Sequence, residues 1–184
     1  MPQTNGPLDE LYMCSLKTDI GWMRPISDGN SVIRMDWNQT GWHEPDRPDY
    51  VSRETKTQLL AFFKRQLHRF TVPLAPIGKN PSGRHWLDIM ASIPYGTVIT
   101  YSEFATLAGK PNAARAAGTV CANNPIPIIY PCHRVIRANR SLGNYGGGSD
   151  NHAAHRENLL YKAALLKLEF NQTVTTVGNR LIWY

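Results

Sequence analysis

Cysteine is scarce in this chain and scattered. Only Cys14, Cys121 and Cys132 occur in 184 residues, too few and too far apart for a disulfide framework, so the composition suits a reducing compartment with free thiols. Long apolar runs are also missing. Nothing approaches the ~20 residues that a membrane span needs, and no membrane partner is expected. The opening stretch MPQTNGPLDELYM holds neither a basic segment nor an apolar one, so no secretory signal is visible. No basic localisation tract is seen either, and a cytoplasmic location is expected. Internal repeats and low-complexity tracts are absent. Acidic residues are the minority, 14 against 20 Lys and Arg, for a net charge of +6 and a pI near 9.4. That surplus favours a polyanionic partner, most simply nucleic acid. Hydrophobic residues, at 42%, suffice for a core without staples. The length fits one generous domain or two small ones.

What is present changes character along the chain. LYMCSLKT and SVIRMDW, within residues 11–37, read as strands, and SDGN between them is hairpin-turn chemistry. Residues 38–53 carry Pro, Gly, Asn and Asp without periodicity and read as a loop. Leu59, Leu60, Phe63, Leu67 and Phe70 then recur at helical spacing, so an amphipathic helix over 53–70 is expected to cover a small sheet. TVPLAPIGKNPSG, 71–83, is punctuated as a boundary. Beyond it a helix over 84–93 stops at Pro94. Two short helices flank AGKPN, the first with the Thr100–Glu103 spacing of a capping box and the second with Asn112 as cap. The pair reads as a helix-turn-helix or as an ordinary helical corner. A last helix spans about 153–170, and VTTVGNRLIWY closes as a hairpin with Gly178-Asn179 at its turn. The expected fold is therefore α+β: a small N-terminal sheet-plus-helix domain, 1–78, packed on a mostly helical C-terminal domain, 79–184, with a helix-turn-helix.

Chemistry concentrates in IIYPCHRVI, 128–136, where Cys132 and His133 stand together in an apolar segment. An ordinary thiol is only a few per cent ionised at neutral pH, so a nucleophilic cysteine needs a base or a positive field. On an extended strand the two side chains would point to opposite faces. Either the backbone turns after Pro131 or a water carries the proton. In NAARAAG, Ala114, Ala116 and Gly118 leave a nearly flat helix surface from which Arg115 projects. Close helix packing and close approach to a DNA groove both suit that surface. The glycines of GNYGGG lack P-loop spacing. His152 and His155 in NHAAH have no nearby third ligand, so no metal is expected.

The order of these segments resembles the O6-alkylguanine-DNA alkyltransferase family, the methylated-DNA–protein-cysteine methyltransferases. IPYGTVITY, AGKPNAARAAG, NNPIPIIYPCHRVI and GNYGGG are similar to that family over about 93–148. NPIPIIYPCHRVI fits its N-P-x-x-x-x-x-P-C-H-R-V signature at every defined position. The first half is similar only in pattern. The resemblance implies that Cys132 accepts the alkyl group and that His133 is its water-mediated base. It implies a bracing role for Asn124, a hydrogen bond from Tyr101 to a guanine nitrogen, and entry of Arg115 into the stack when the nucleotide leaves. Val135, Asn144, Tyr145 and Gly146 would line the guanine pocket. Ala114, Ala116 and Gly118 would lie along the DNA. The family's K-x-x-L-L-x-x-E has two registers here. The first puts Ala163 at the glutamate position; the second, Lys162 to Glu169, matches throughout and is taken. It makes Glu169 the residue that orients His133 and implies an insertion after the glycines. Animal members hold a structural zinc in the first half, where Cys14 is the lone cysteine, so no metal is assigned.

The implied activity is irreversible transfer of an alkyl group from O6-alkylguanine in double-stranded DNA to Cys132, once per molecule, by a monomer without a cofactor. The target atom lies inside the duplex, so the nucleotide must be extruded at a cost of about a few kcal/mol. Two other readings compete. A non-catalytic helix-turn-helix binder would resemble the alkyltransferase-like proteins, which usually carry tryptophan where Cys132 stands. A cysteine hydrolase on Cys132, His133 and Asn124 leaves the arginine-bearing helix unexplained.

Overall fold

In this computed structural model, residues 11–143, 145, 152–170, 174–177 and 180–183 are described, with side chains through 143, at 145 and over 158–170. The chain divides into two compact units, Met1–Ile77 and Gly78–Tyr184. Its helices and strands make it an α+β protein.

In the first unit β1 (Tyr12–Met13), β2 (Leu16–Thr18), β3 (Gly21–Ser27) and β4 (Val32–Asn38) form one antiparallel sheet. β3 is central: it pairs with β4 on one side and with β1 and β2 in turn on the other. Periodicity did not reveal this strand, because Pro25 cannot donate to a ladder. Pro25 is tolerated because Met13 pairs with Ile26 and Leu16 with Met23, so it faces the gap between β1 and β2. The SDGN turn closes β3 onto β4. Asp28 Oδ1 accepts the amides of Asn30 and Ser31 at 3.0 and 2.8 Å. Leu16, Met23, Ile26 and Val32 from the sheet are buried, as are Leu59 and Phe62 from α1 (Tyr50–Phe63).

α1 differs from the expected 53–70 at both ends. Asp49 caps it through a reciprocal bond with Ser52, which starts the helix earlier. Arg65 takes a φ of 59°, a left-handed residue of the kind that ends helices. The apolar spacing runs on past that stop because the chain folds back, and Phe70 packs on Phe62 at 5.6 Å between ring centroids. The stretch read as a boundary is itself divided. Pro73, Ala75 and Ile77 hydrogen-bond alongside Val32 and Ile33, whereas Asn80 caps α2 (Pro81–Ala91) with proline at its first position. α2 thus begins before Arg84, since proline suits a first turn that needs no donor.

In the second unit β5 (Ile99–Thr100) pairs in parallel with β6 (Val135–Ile136). β5 leads directly into α3 (Tyr101–Leu107), and α4 (Ala114–Ala122) follows and packs against it, the helix-turn-helix arrangement. Thr100 Oγ1 accepts from Glu103 N at 3.2 Å and the Glu103 carboxylate accepts from Thr100 N at 2.6 Å, completing the capping box. Asn112 does not cap α4. Ala113 holds that position without a side-chain bond, and Asn112 sits in the preceding turn at a φ of 73°, a conformation that asparagine tolerates better than most residues. α5 (His152–Phe170) buries Lys162, Ala163, Leu165, Leu166 and Glu169. Ala163 and Leu166 form a core cluster with Ile136 and Leu142. β7 (Val174–Val177) and β8 (Arg180–Trp183) pair antiparallel; the Gly178-Asn179 turn lies outside the described residues, as do the side chains of His152 and His155. Among the described residues no helix is long and apolar enough to cross a membrane.

The Thr100–Glu103 box sets where α3 starts and so where Tyr101 points. Thr100→Ala should lower stability by about 1 kcal/mol and Thr100→Ser by much less, measured as the denaturant midpoint at constant slope.

Candidate active site

The thiol is positioned by a sequence of turns. Pro131, at φ −82° and ψ 60°, is the centre of an inverse γ-turn, closed by the Cys132 amide donating to Tyr130 O at 2.8 Å. A single 3₁₀ turn, Cys132–Arg134, follows and runs into β6. The backbone therefore turns after the proline, and Cys132 and His133 do not alternate as strand neighbours. Asn124, just past α4, ties this corner together. Its amide nitrogen donates to Tyr130 O at 2.7 Å and reaches Cys132 Sγ at 3.2 Å, while its oxygen accepts from Ile126 N at 3.1 Å. Between these bonds Ile128 is held at a φ of 73°, a left-handed conformation that is an outlier for a β-branched residue.

His133 is fully buried, and its Nε2 lies 2.8 Å from Glu169 Oε1. The same carboxylate accepts from Arg134 Nε at 3.0 and 3.2 Å, from Arg134 Nη2 at 2.9 Å and from Gly96 N at 3.0 Å. Arg134 Nη1 donates to Ile93 O. Sequence reasoning placed Glu169 but passed over Arg134 and Gly96. A charged residue inside the apolar YPCHRVI segment was the available signal, since a buried arginine requires a partner.

These contacts set the proton inventory. Burial opposes ionisation of Glu169, yet its bonds to His133 and Arg134 prevail and bring its pKa to about 2. Burial lowers the pKa of His133 against the pull of Glu169. With Arg134 balancing the carboxylate, the imidazole is neutral. Its Nε2–H donates to Glu169, which leaves Nδ1 as the basic site. Nδ1 is buried and has no hydrogen-bond partner among the described residues. Burial raises the Cys132 pKa, opposed by the Asn124 hydrogen bond and the Lys162 charge. Burial thus favours the protonated thiol.

Lys162 is buried and donates from Nζ to Val135 O at 2.6 Å and to Leu142 O. Burial brings its pKa down to about 8, so at neutral pH it remains mostly a cation. It lies 5.8 Å from the Tyr101 ring centroid. Tyr101 begins α3, and its hydroxyl rests against Gly143: a Cβ there would meet it at 2.8 Å, at a φ of 71°. Tyr145 is buried, and burial, with a smaller contribution from a charge on Cys132, raises its pKa well above the usual value. On α4, Arg115 and Ala116 are exposed, and Ala114 and Gly118 are half-buried. Asn144 and Gly146 lie outside the described residues. The structure thus gathers Cys132, His133, Glu169, Asn124 and Tyr145 with Lys162 and Tyr101.

Such a site defines a class: a free buried cysteine next in sequence to a histidine paired with a carboxylate, in the same unit as a helix-turn-helix. Residues 82–169 match the model of the 6-O-methylguanine DNA methyltransferase, DNA binding domain. The methylated-DNA–protein-cysteine methyltransferase of Mycobacterium leprae is 38% identical over 140 residues, covering 73% of this chain and 78% of that protein. Its counterpart in Methanosarcina acetivorans is 44% identical over 117 residues, 64% of this chain and 68% of that one. The crystal structure of Mycobacterium tuberculosis OGT in complex with DNA is 31% identical and similar in fold, with a TM-score of 0.71, over 85% of this chain and 91% of that chain. The chain belongs to the methylated-DNA–protein-cysteine methyltransferases.

The Glu169 network yields two expected pH effects. Glu169→Gln removes the charge that favours imidazolium, so the apparent pKa of Cys132, read from thiol alkylation rates against pH, should rise. The folded carboxyl titrates at about 2 rather than 4.5. Its stabilisation is therefore complete above about pH 4.5 and lost as pH falls toward 2. Acid unfolding curves of the parent should slope through that window, and those of Glu169→Gln should be flatter there.

Proposed function

We propose that this chain repairs DNA by moving the alkyl group of an O6-alkylguanine irreversibly onto Cys132, one transfer per molecule. The observation that carries the reading is the buried Cys132 thiol, with Asn124 at 3.2 Å from Sγ and His133 anchored through Nε2 to Glu169. Cys132 Sγ bonds to the alkyl carbon as the carbon–O6 bond breaks. The thiol proton passes through a water to His133 Nδ1, and the imidazolium formed is stabilised by Glu169. The electron pair left on guanine is neutralised by a proton from Tyr101 to a ring nitrogen. Tyr101 recovers its proton from solvent, and His133 returns its own to solvent. Val135 and Tyr145 line the guanine pocket, and the family resemblance assigns Asn144 and Gly146 to it as well. The alkyl–sulfur bond is stable, so no regenerating cofactor takes part.

The target atom must leave the stack, and α4 suits that task. Ala114, Ala116 and Gly118 let the helix sit close to the duplex, and the exposed Arg115 fills the space vacated by the nucleotide. The net charge of +6 adds sequence-independent phosphate affinity, which suits a search for lesions anywhere. Residues 79–184 serve as the DNA-binding and alkyl-acceptor domain and residues 1–78 as an N-terminal α/β domain. The protein acts as a monomer in the cytoplasm, a compartment that suits its free buried thiols.

Incubation with a duplex containing O6-methylguanine should add one methyl group to the Cys132 peptide, seen by mass, at no more than one equivalent. Cys132→Ser should bind the duplex and transfer nothing. Sustained turnover, or methylation of Cys14 or Cys121 instead, contradicts the reading. Arg115→Ala should slow repair of the duplex far more than reaction with free O6-benzylguanine, because only the duplex demands extrusion. Equal losses on both would assign Arg115 to the pocket or the fold.

A further inference from the structure

β5 and β6 run parallel, with Ile99 opposite Val135 and Thr100 opposite Ile136. The residues that follow, Tyr101 and Arg137, therefore leave the sheet at the same end. A cleft of about 450 Å³ lies there, lined among others by Thr100, Glu103, Arg137, Ala138 and Arg140. Its far wall is a closed turn. The Arg137 amide donates to Ser141 O and the Arg140 amide to Arg137 O, both at 2.9 Å. Asn139 Oδ1 accepts from Ser141 N at 3.1 Å and Ser141 Oγ at 2.8 Å. Arg140 holds the tight bend at a φ of 61°. Ser141 is buried while residues 137–140 are exposed, so the turn is pinned from below and presents two guanidinium groups at the rim. The charged groups lining the cleft are Glu103, Arg137 and Arg140. Glu103 is tied to the first turn of α3 through Thr100, which leaves the balance positive.

We propose that this cleft binds a backbone phosphate of the DNA strand that carries the extruded nucleotide, with Arg137 and Arg140 as its ligands. The inference rests on the alkyltransferase reading and extends it to residues outside the helix-turn-helix. A flipped nucleotide keeps its covalent links to both neighbours, so its phosphates must pass the mouth of the pocket that takes the base. Tyr101, assigned to a guanine nitrogen, follows Thr100 of the cleft wall and leaves the sheet at the same end as Arg137, which sets the cleft on the strand's route to the pocket. Arginine forks match phosphate oxygens bidentately. A contact made there holds the strand in its extruded form without reading sequence.

The test compares the parent, an Arg137→Gln/Arg140→Asn double variant and Arg69→Gln, an exposed site in the first unit. Asparagine is chosen at 140 because it accepts the left-handed backbone. For a duplex with O6-methylguanine, the slope of log affinity against log salt should shrink by about 1.8 in the double variant, about 0.9 for each lost contact. Methylation of Cys132 from the duplex should fall roughly tenfold at physiological salt. The loss with free O6-benzylguanine should be at least fivefold smaller, and Arg69→Gln should match the parent. An unchanged salt slope, or equal losses on both substrates, overturns the proposal, as does an equal loss in Arg69→Gln. If the parent itself never methylates Cys132, the alkyltransferase reading fails and this inference with it.

Discussion

A carboxylate placed out of water is among the costliest groups that a fold can bury, and one stripped of partners would not stay ionised. Glu169 stays ionised because donors converge on it from two places in the chain. His133 and Arg134 come from the 3₁₀ turn, and Gly96 comes from the corner after α2. Through Arg134 the network also reaches Ile93 O. The end of α5, the turn that carries the thiol and the end of α2 are therefore fastened at one point. A shift of any of them strands a buried charge. That threat, rather than the strength of any one bond, specifies the geometry.

A second fastening acts from the other side of the thiol. Asn124 spends one amide on Tyr130 O, Cys132 Sγ and Ile126 N, joining the end of α4 to the loop before Pro131. The loop between is not relaxed, since Ile128 is β-branched and left-handed, a conformation that costs on the order of 1–3 kcal/mol. Such a residue persists only where its surroundings over-determine it. Here the surroundings are the Asn124 bonds, the inverse γ-turn at Pro131 and the burial of Ile126, Ile128 and Ile129. The strained segment links the helix-turn-helix to the thiol, so α4 and Cys132 are coupled by a connection with little slack.

Some of this arrangement was legible in the residues and some was not. The capping box before α3 could be read from Thr100 and Glu103, because both partners lie within one helical turn. Asn112 has cap chemistry, but its backbone was needed for the turn, and conformational demand overrode side-chain preference. β3 stayed hidden because a proline argues against a central strand unless the neighbouring strand is interrupted, and that interruption is a tertiary fact. In α5 the apolar pattern contains two Leu-Leu pairs, so periodicity offers two registers. Only the spacing of Lys162 and Glu169 in the family motif selects between them. Arg134 went unassigned because its partner is 35 residues away and its meaning lies wholly in that partner.

Arg134 and Lys162 together explain how the thiol is kept quiet and yet usable. A carboxylate alone beside His133 would favour imidazolium, and an imidazolium cannot accept a proton from a thiol. Arg134 balances Glu169 and opposes that charging, as does Lys162, which leaves Nδ1 basic at neutral pH. The same Lys162 favours the thiolate form of Cys132 and sits near the Tyr101 ring, where negative charge develops if guanine leaves. Burial meanwhile disfavours a standing thiolate. An exposed thiolate would be open to chance alkylation and oxidation, and a protein that acts once cannot recover from either. Under the proposed function, burial holds the cysteine protonated at rest while the Asn124 hydrogen bond and the Lys162 charge, which favour its thiolate, keep ionisation within reach.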